Sequence, residues 1–111
     1  MPEADDRMEQ VASIMDYLSR KKPELQEPFM KFNGAVIRDG ALPTKVKELI
    51  ALSLSLQSTC EWCITYHTRN AVATGASRDE ILEACYVAVL MAGAPALMHV
   101  NLVVEALERE E

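Results

Sequence analysis

The stretch from Pro43 to His67, PTKVKELIALSLSLQSTCEWCITYH, decides the fold. In its first half Ile50, Leu52, Leu54 and Leu56 alternate with Ala51, Ser53 and Ser55, which is the period of a strand. In its second half Ser58 and Glu61 stand at capping-box spacing, and Cys60 and Cys63 fall in the first two helical turns that this box would start.

A strand that runs into Cys-x-x-Cys at a helix start is how a thioredoxin-like fold begins. Here the residues between the cysteines are Glu61 and Trp62, where thioredoxins usually have Gly-Pro. Nothing after Cys63 reads as the hairpin and Pro-containing turn that such a fold needs. Helix is favoured for residues 43–57, with Pro43 suited to the first helical position.

The helical punctuation continues in both directions. Upstream, Val11, Ile14, Met15 and Leu18 form one stripe of a helix over Arg7 to Arg20, closed by Pro23. A second helix, Pro23 to Arg38, carries Leu25, Phe29, Phe32, Val36 and Ile37 and ends at the turn formers Asp39 and Gly40. Downstream, Gly75 is placed to end the cysteine helix, and Ser77 with Glu80 repeats the capping-box spacing. Gly93 and Pro95 mark one more stop and start, with a last helix from Pro95 to Glu108. The expectation is an all-α bundle of about six helices with short loops, forming a single domain over residues 1–111.

The last two segments are apolar on nearly every face, through Ile81, Leu82, Ala84, Val87, Val89, Leu90 and Met91, then Leu97, Met98, Val100, Leu102, Val103, Val104 and Leu107. A helix that is hydrophobic all round is buried, and 111 residues cannot easily enclose two of them. A homo-oligomer is expected, with a tight monomeric core as the alternative.

Half of the residues are hydrophobic and a quarter charged, which is globular composition. The net charge of −6 repels phosphate backbones, and the acids gather at the ends, as Glu3, Asp5, Asp6 and Glu9, then Glu105, Glu108, Glu110 and Glu111. The only basic run, Arg20 to Lys22, reads as a solvated helix end, so no nucleic-acid partner is expected. The acidic N-terminus lacks the pattern of a secretory signal, and the apolar run from Ala84 to Leu97 is too short and too broken to span a membrane. A cytoplasmic protein without a membrane partner is expected.

Three cysteines in a cytosolic chain favour redox or metal chemistry over a disulfide framework. On a helix, Cys60, Cys63 and His67 project from roughly one side. Backbone amides at the helix start would lower the pKa of the Cys60 thiol, and His67, one turn from Cys63, could take the proton of that thiol. Zinc is the alternative, held by Cys60, Cys63 and His67 with Cys85 or His99 as the fourth ligand. Haem attachment would need histidine directly after the second cysteine, where Ile64 stands. Glu48 could reach the imidazole from the preceding helix or pair on the surface with Lys45 or Lys47. Cys85 and His99 read as core residues, while Trp62 and Tyr66 could shield the thiols or simply pack.

The spacing Glu48, eleven residues, Cys60, two residues, Cys63, three residues, His67 resembles the signature of alkylhydroperoxidase D-like proteins of the carboxymuconolactone decarboxylase superfamily. The likeness extends from about Pro43 to Gly93 and implies an all-helical fold assembled as a homotrimer or homohexamer. It also implies a catalytic set in which Cys63 meets the peroxide, Cys60 resolves, and His67 with Glu48 relays protons. A hydroperoxide is then the substrate and an external dithiol the reductant, with neither cofactor nor metal. The position between the cysteines that is histidine in some members is Trp62 here, so one relay group is missing. The name-giving lactone decarboxylases generally lack the cysteine pair, which makes a lyase the lesser expectation beside zinc-binding or structural assembly.

Overall fold

The computed structural model describes residues 3–109, and among them all regular structure is helical. Six helices follow in order: α1 Ala4–Lys21, α2 Pro23–Ile37, α3 Thr44–Gln57, α4 Glu61–Ala73, α5 Arg78–Ala92 and α6 Ala94–Arg109. Helix α1 begins one turn before the expected Arg7, with Asp5 and Asp6 in a first turn whose free amides favour negative charge.

The strand-like alternation in α3 resolves as two helical faces. Leu52 and Leu56 are fully buried with Glu48 and Ser55, whereas Ile50 and Leu54 face outward. The buried set therefore repeats at four and three residues, the helical period, and the alternating serines have backbone partners: Ser53 donates to the Ala84 carbonyl of α5 at 2.7 Å and Ser55 to that of Ala51 one turn back at 2.7 Å. Leu52 and Leu56 join Ile64, Ile81, Cys85, Leu102, Val103 and Leu107 in one core shared by α3 to α6. Burial of each large side chain there contributes about 1.5–3 kcal/mol.

Helix α1 lies across α4 through polar ties that the sequence did not announce. Arg7 is completely buried, its Nε donating to Thr65 Oγ1 at 2.7 Å and its Nη2 paired with Glu105 of α6. Trp62 donates its indole N–H to Gln10 Oε1 at 2.7 Å, and Arg69 reaches Asp5 at 2.6 Å. An arginine set among acids reads as surface in a sequence, and only the three-helix contact reveals it as a buried anchor.

Helix α2 is mostly bare. Its buried residue is Gln26, whose amide donates to the Met15 sulfur at 3.4 Å, while Leu25, Phe29, Phe32 and Val36 stay about half exposed or more. The loop after it is anchored by Lys47, which donates to the carbonyls of Val36 and Arg38 at 2.7 Å each. Asp39 accepts from the Thr44 amide at 2.7 Å, and this bond holds its carboxyl below the usual range. Pro43 is the N-cap residue of α3, so the helix starts at Thr44, one residue later than expected.

One chain covers only part of helices α5 and α6. Ile81, Cys85 and Ala88 point inward, but Tyr86, Val87, Leu90 and Met91 remain open, with Leu90 81% exposed, and so do Leu97 and Met98 of α6. The Ser77–Glu80 capping box is present in both directions, at 2.8 and 3.1 Å.

Candidate active site

The link between α3 and α4 sets the position of the cysteines, and it differs from the predicted box. Helix α3 ends in a Schellman turn: the Thr59 amide returns to the Leu56 carbonyl at 3.2 Å and the Cys60 amide to that of Ser55 at 3.1 Å. Thr59 takes the left-handed conformation, φ 54°. Ser58 is thereby spent on the end of α3, its hydroxyl donating to the Ser55 carbonyl at 3.2 Å. The N-cap of α4 is Cys60 itself, extended at φ −91°, ψ 103°, with its sulfur accepting from the Cys63 amide at 3.2 Å.

Cysteines three apart within a regular helix need some distortion to reach bonding distance, and the N-cap position of Cys60 supplies it. Cys60 lies outside the helical turn, and its Cα is 5.3 Å from that of Cys63, within the span of a disulfide. The two are bonded in the structure. Reduced, a Cys60 thiolate would sit on the free amides of the α4 N-terminus, an environment that favours the anion.

A left-handed β-branched residue at this turn costs about 1–2 kcal/mol, of which the greater unfolded-state freedom of glycine returns only part. Thr59→Gly is expected to raise Tm by about 2–5 °C, read by calorimetry of the oxidised protein. An unchanged or lower Tm would mean that the Thr59 hydroxyl, which donates to the Ser58 carbonyl at 2.7 Å, offsets the strain.

Glu48 and His67 meet directly. Glu48 is only 3% exposed and turns away from its lysine neighbours, since Lys45 pairs with Glu80 at 3.0 Å and Lys47 serves the end of α2. Its Oε1 stands 2.7 Å from His67 Nδ1. A carboxylate can only accept, so Nδ1 carries the proton and Nε2 is left as the basic nitrogen.

His67 and Cys63 share one side of α4, and both line a cleft of about 510 Å³. Its remaining wall comes from Met8, Val11, Ala12 and Met15 of α1, Phe29, Met30 and Asn33 of α2, and Trp62 and Tyr66 of α4. Tyr66 stands edge-on to the His67 ring, with centroids 5.1 Å apart. Cys60 is not among the lining residues, so the two sulfurs of the pair have different surroundings.

The other candidates lie apart from this site. Cys85 is buried in the core, and burial pushes its thiol up to about 11, which keeps it protonated at neutral pH. His99 is on α6 and donates from Nδ1 to the Pro95 carbonyl at 2.7 Å. Among the described residues no three His, Cys, Asp or Glu side chains are grouped to hold a metal ion. No described helix is long and apolar enough to cross a membrane.

The sequence missed the α1 and α2 wall of the cleft. Met8, Val11, Ala12 and Met15 do stand at positions i, i+3, i+4 and i+7, so a stripe facing the site was readable. The expected stripe included Ile14, which is instead about half exposed.

A six-helix bundle with a capped Cys-x-x-Cys and a buried Glu–His pair defines an alkylhydroperoxidase D-like fold. Residues 23–106 match the carboxymuconolactone decarboxylase family, and the chain belongs to it. It is 33% identical over 98 residues to the uncharacterized protein 4 of the cox locus of Paracoccus denitrificans, covering 88% of each chain. Among solved structures it is similar to a carboxymuconolactone decarboxylase family protein of Legionella pneumophila, with TM-score 0.91, 34% identity and coverage of 96% and 95% of the two chains. A Thermotoga maritima family member, suggested to be involved in antioxidative response, superposes with TM-score 0.82 at 33% identity, over 93% of this chain and 87% of its own.

Proposed function

We propose that the protein is a thiol-dependent peroxidase that reduces hydroperoxides through Cys63 and Cys60, with His67 and Glu48 as its proton relay. The observation that carries this reading is the cleft, where Cys63 and a histidine oriented by a buried carboxylate share one wall beside a second cysteine at bonding distance.

In the cycle, His67 Nε2 takes the Cys63 proton, and the thiolate attacks the terminal peroxide oxygen. The O–O bond breaks, Cys63 becomes a sulfenic acid, and the leaving alkoxide recovers the proton as an alcohol. The Cys60 thiolate then attacks the Cys63 sulfur and forms the disulfide, and the expelled hydroxide takes the proton that Cys60 released and leaves as water. An external dithiol restores both thiols and is itself oxidised to a disulfide. Trp62, between the cysteines, supplies no proton and instead ties α4 to Gln10 of α1.

The working form is a homo-oligomer. The open apolar residues of α2, α5 and α6 support this, since such area is ordinarily covered. Light scattering of the purified protein is expected to give the mass of three or six chains, and a monomer mass would oppose it.

The test of function is peroxide consumption with dithiothreitol in excess. Loss of tert-butyl hydroperoxide in proportion to protein, with equimolar tert-butanol formed, is the expected result. A rate no greater than with dithiothreitol alone would overturn the reading.

A further inference from the structure

Three of the six methionines, Met8, Met15 and Met30, line the same cleft as Cys63. Met8 and Met15 are two turns apart on one face of α1, and Met30 faces them from α2. A peroxide that enters while the cysteines are joined meets no thiol, and the thioether sulfurs are then the most readily oxidised atoms on the wall.

We propose that these methionines form a second peroxide-reactive site, taking oxygen from an organic hydroperoxide whenever Cys60 and Cys63 are already bonded. The inference rests on the peroxidase reading for its oxidant. In the step, the thioether sulfur attacks the terminal oxygen of the hydroperoxide and the O–O bond breaks. The proton of that oxygen passes to the leaving alkoxide, giving a methionine sulfoxide and an alcohol. Sulfur loses two electrons and the peroxide gains them, so no further reductant takes part.

Modification at Met15 would have a consequence beyond its own side chain. Its sulfur accepts from Gln26, the buried side chain that fixes α2 against α1. The sulfoxide group is larger than the thioether and its oxygen is a far stronger acceptor, so Gln26 must move to meet it and the wall formed by α2 moves with it. A protein starved of reductant would thus alter its own substrate cleft.

The experiment starts from full-length protein in the disulfide form, treated with cumene hydroperoxide and followed by peptide mass spectrometry. Met8, Met15 and Met30 are expected to gain one oxygen each. Excess cumyl alcohol, which occupies the cleft without oxidising it, is expected to slow those gains at least about threefold while leaving Met91 and Met98 unaffected. Ala12→Leu, which narrows the cleft, is expected to act in the same direction. Oxidation of the cleft methionines that ignores both the alcohol and the substitution would overturn the proposal, as would their absence from the oxidised set. A parallel sample begun in the reduced form reports the Cys60–Cys63 bond, so failure of the thiol chemistry is seen separately from failure at the methionines.

Discussion

Cys63→Ser is expected to abolish peroxide turnover, lowering kcat/KM by about 10⁴-fold or more, because the substitution removes the sulfur that breaks the O–O bond. Cys60→Ser is expected to stop turnover at a different point. Cys63 would still accept one oxygen, and the sulfenic acid, with no neighbour to condense with, should be captured by dimedone in that variant. The two outcomes separate the attacking thiol from the resolving one. Dimedone labelling of Cys60 in Cys63→Ser would reverse the assignment and make the N-cap cysteine the nucleophile. The geometry gives that outcome a physical basis, since the α4 amides favour a Cys60 thiolate. The cleft favours Cys63, which shares its wall with His67.

Glu48→Gln is expected to reduce kcat/KM by about 10²–10⁴-fold with the fold intact. The amide is close in volume to the carboxylate and can occupy the same buried place. Unlike the carboxylate, it can donate to His67 Nδ1, which moves the ring proton to Nε2 and deprives Cys63 of its base. Alkylation separates the effect from loss of structure. The native variant should keep Cys85 unreactive in the core while Cys63 reacts more slowly with iodoacetamide at neutral pH. Glu48→Gln with unchanged kcat/KM would mean that the Glu48–His67 contact holds α3 to α4 and does nothing for the chemistry.

The helices were legible because their signals are local. Pro23, Gly75, the Ser77–Glu80 box and Gly93 each act within one or two turns, and each stands at or next to a helix end in the structure. The Ser58–Glu61 box failed for a reason that is also local. The chain has too few residues between α3 and α4 to end one helix and cap the next separately, so Ser58 closes α3 and Cys60 takes over the cap. The grouping of Cys60, Cys63 and His67 was readable from helical spacing, whereas Glu48 joined the set through the likeness to the family signature. The burial of Arg7 and the contact of Gln10 were not readable. They meet α4 from over fifty residues away in sequence, through packing of α1 that no short-range pattern encodes.

The open apolar surface of α5 and α6 follows from the same limit. Periodicity shows that both helices are apolar around most of their circumference, but not how much of it one chain can cover. The core takes Ile81, Cys85 and Ala88 and leaves Leu90 and Met91 outside.

The most direct test of the central claim is a thiol count on the reduced protein before and after one equivalent of tert-butyl hydroperoxide, with the linked peptides mapped by mass. The expected result is the loss of two thiols, a Cys60–Cys63 bond that dithiothreitol reverses, and a Cys85 thiol that survives throughout. Three unchanged thiols would contradict it, because the first step of the proposed cycle would not occur.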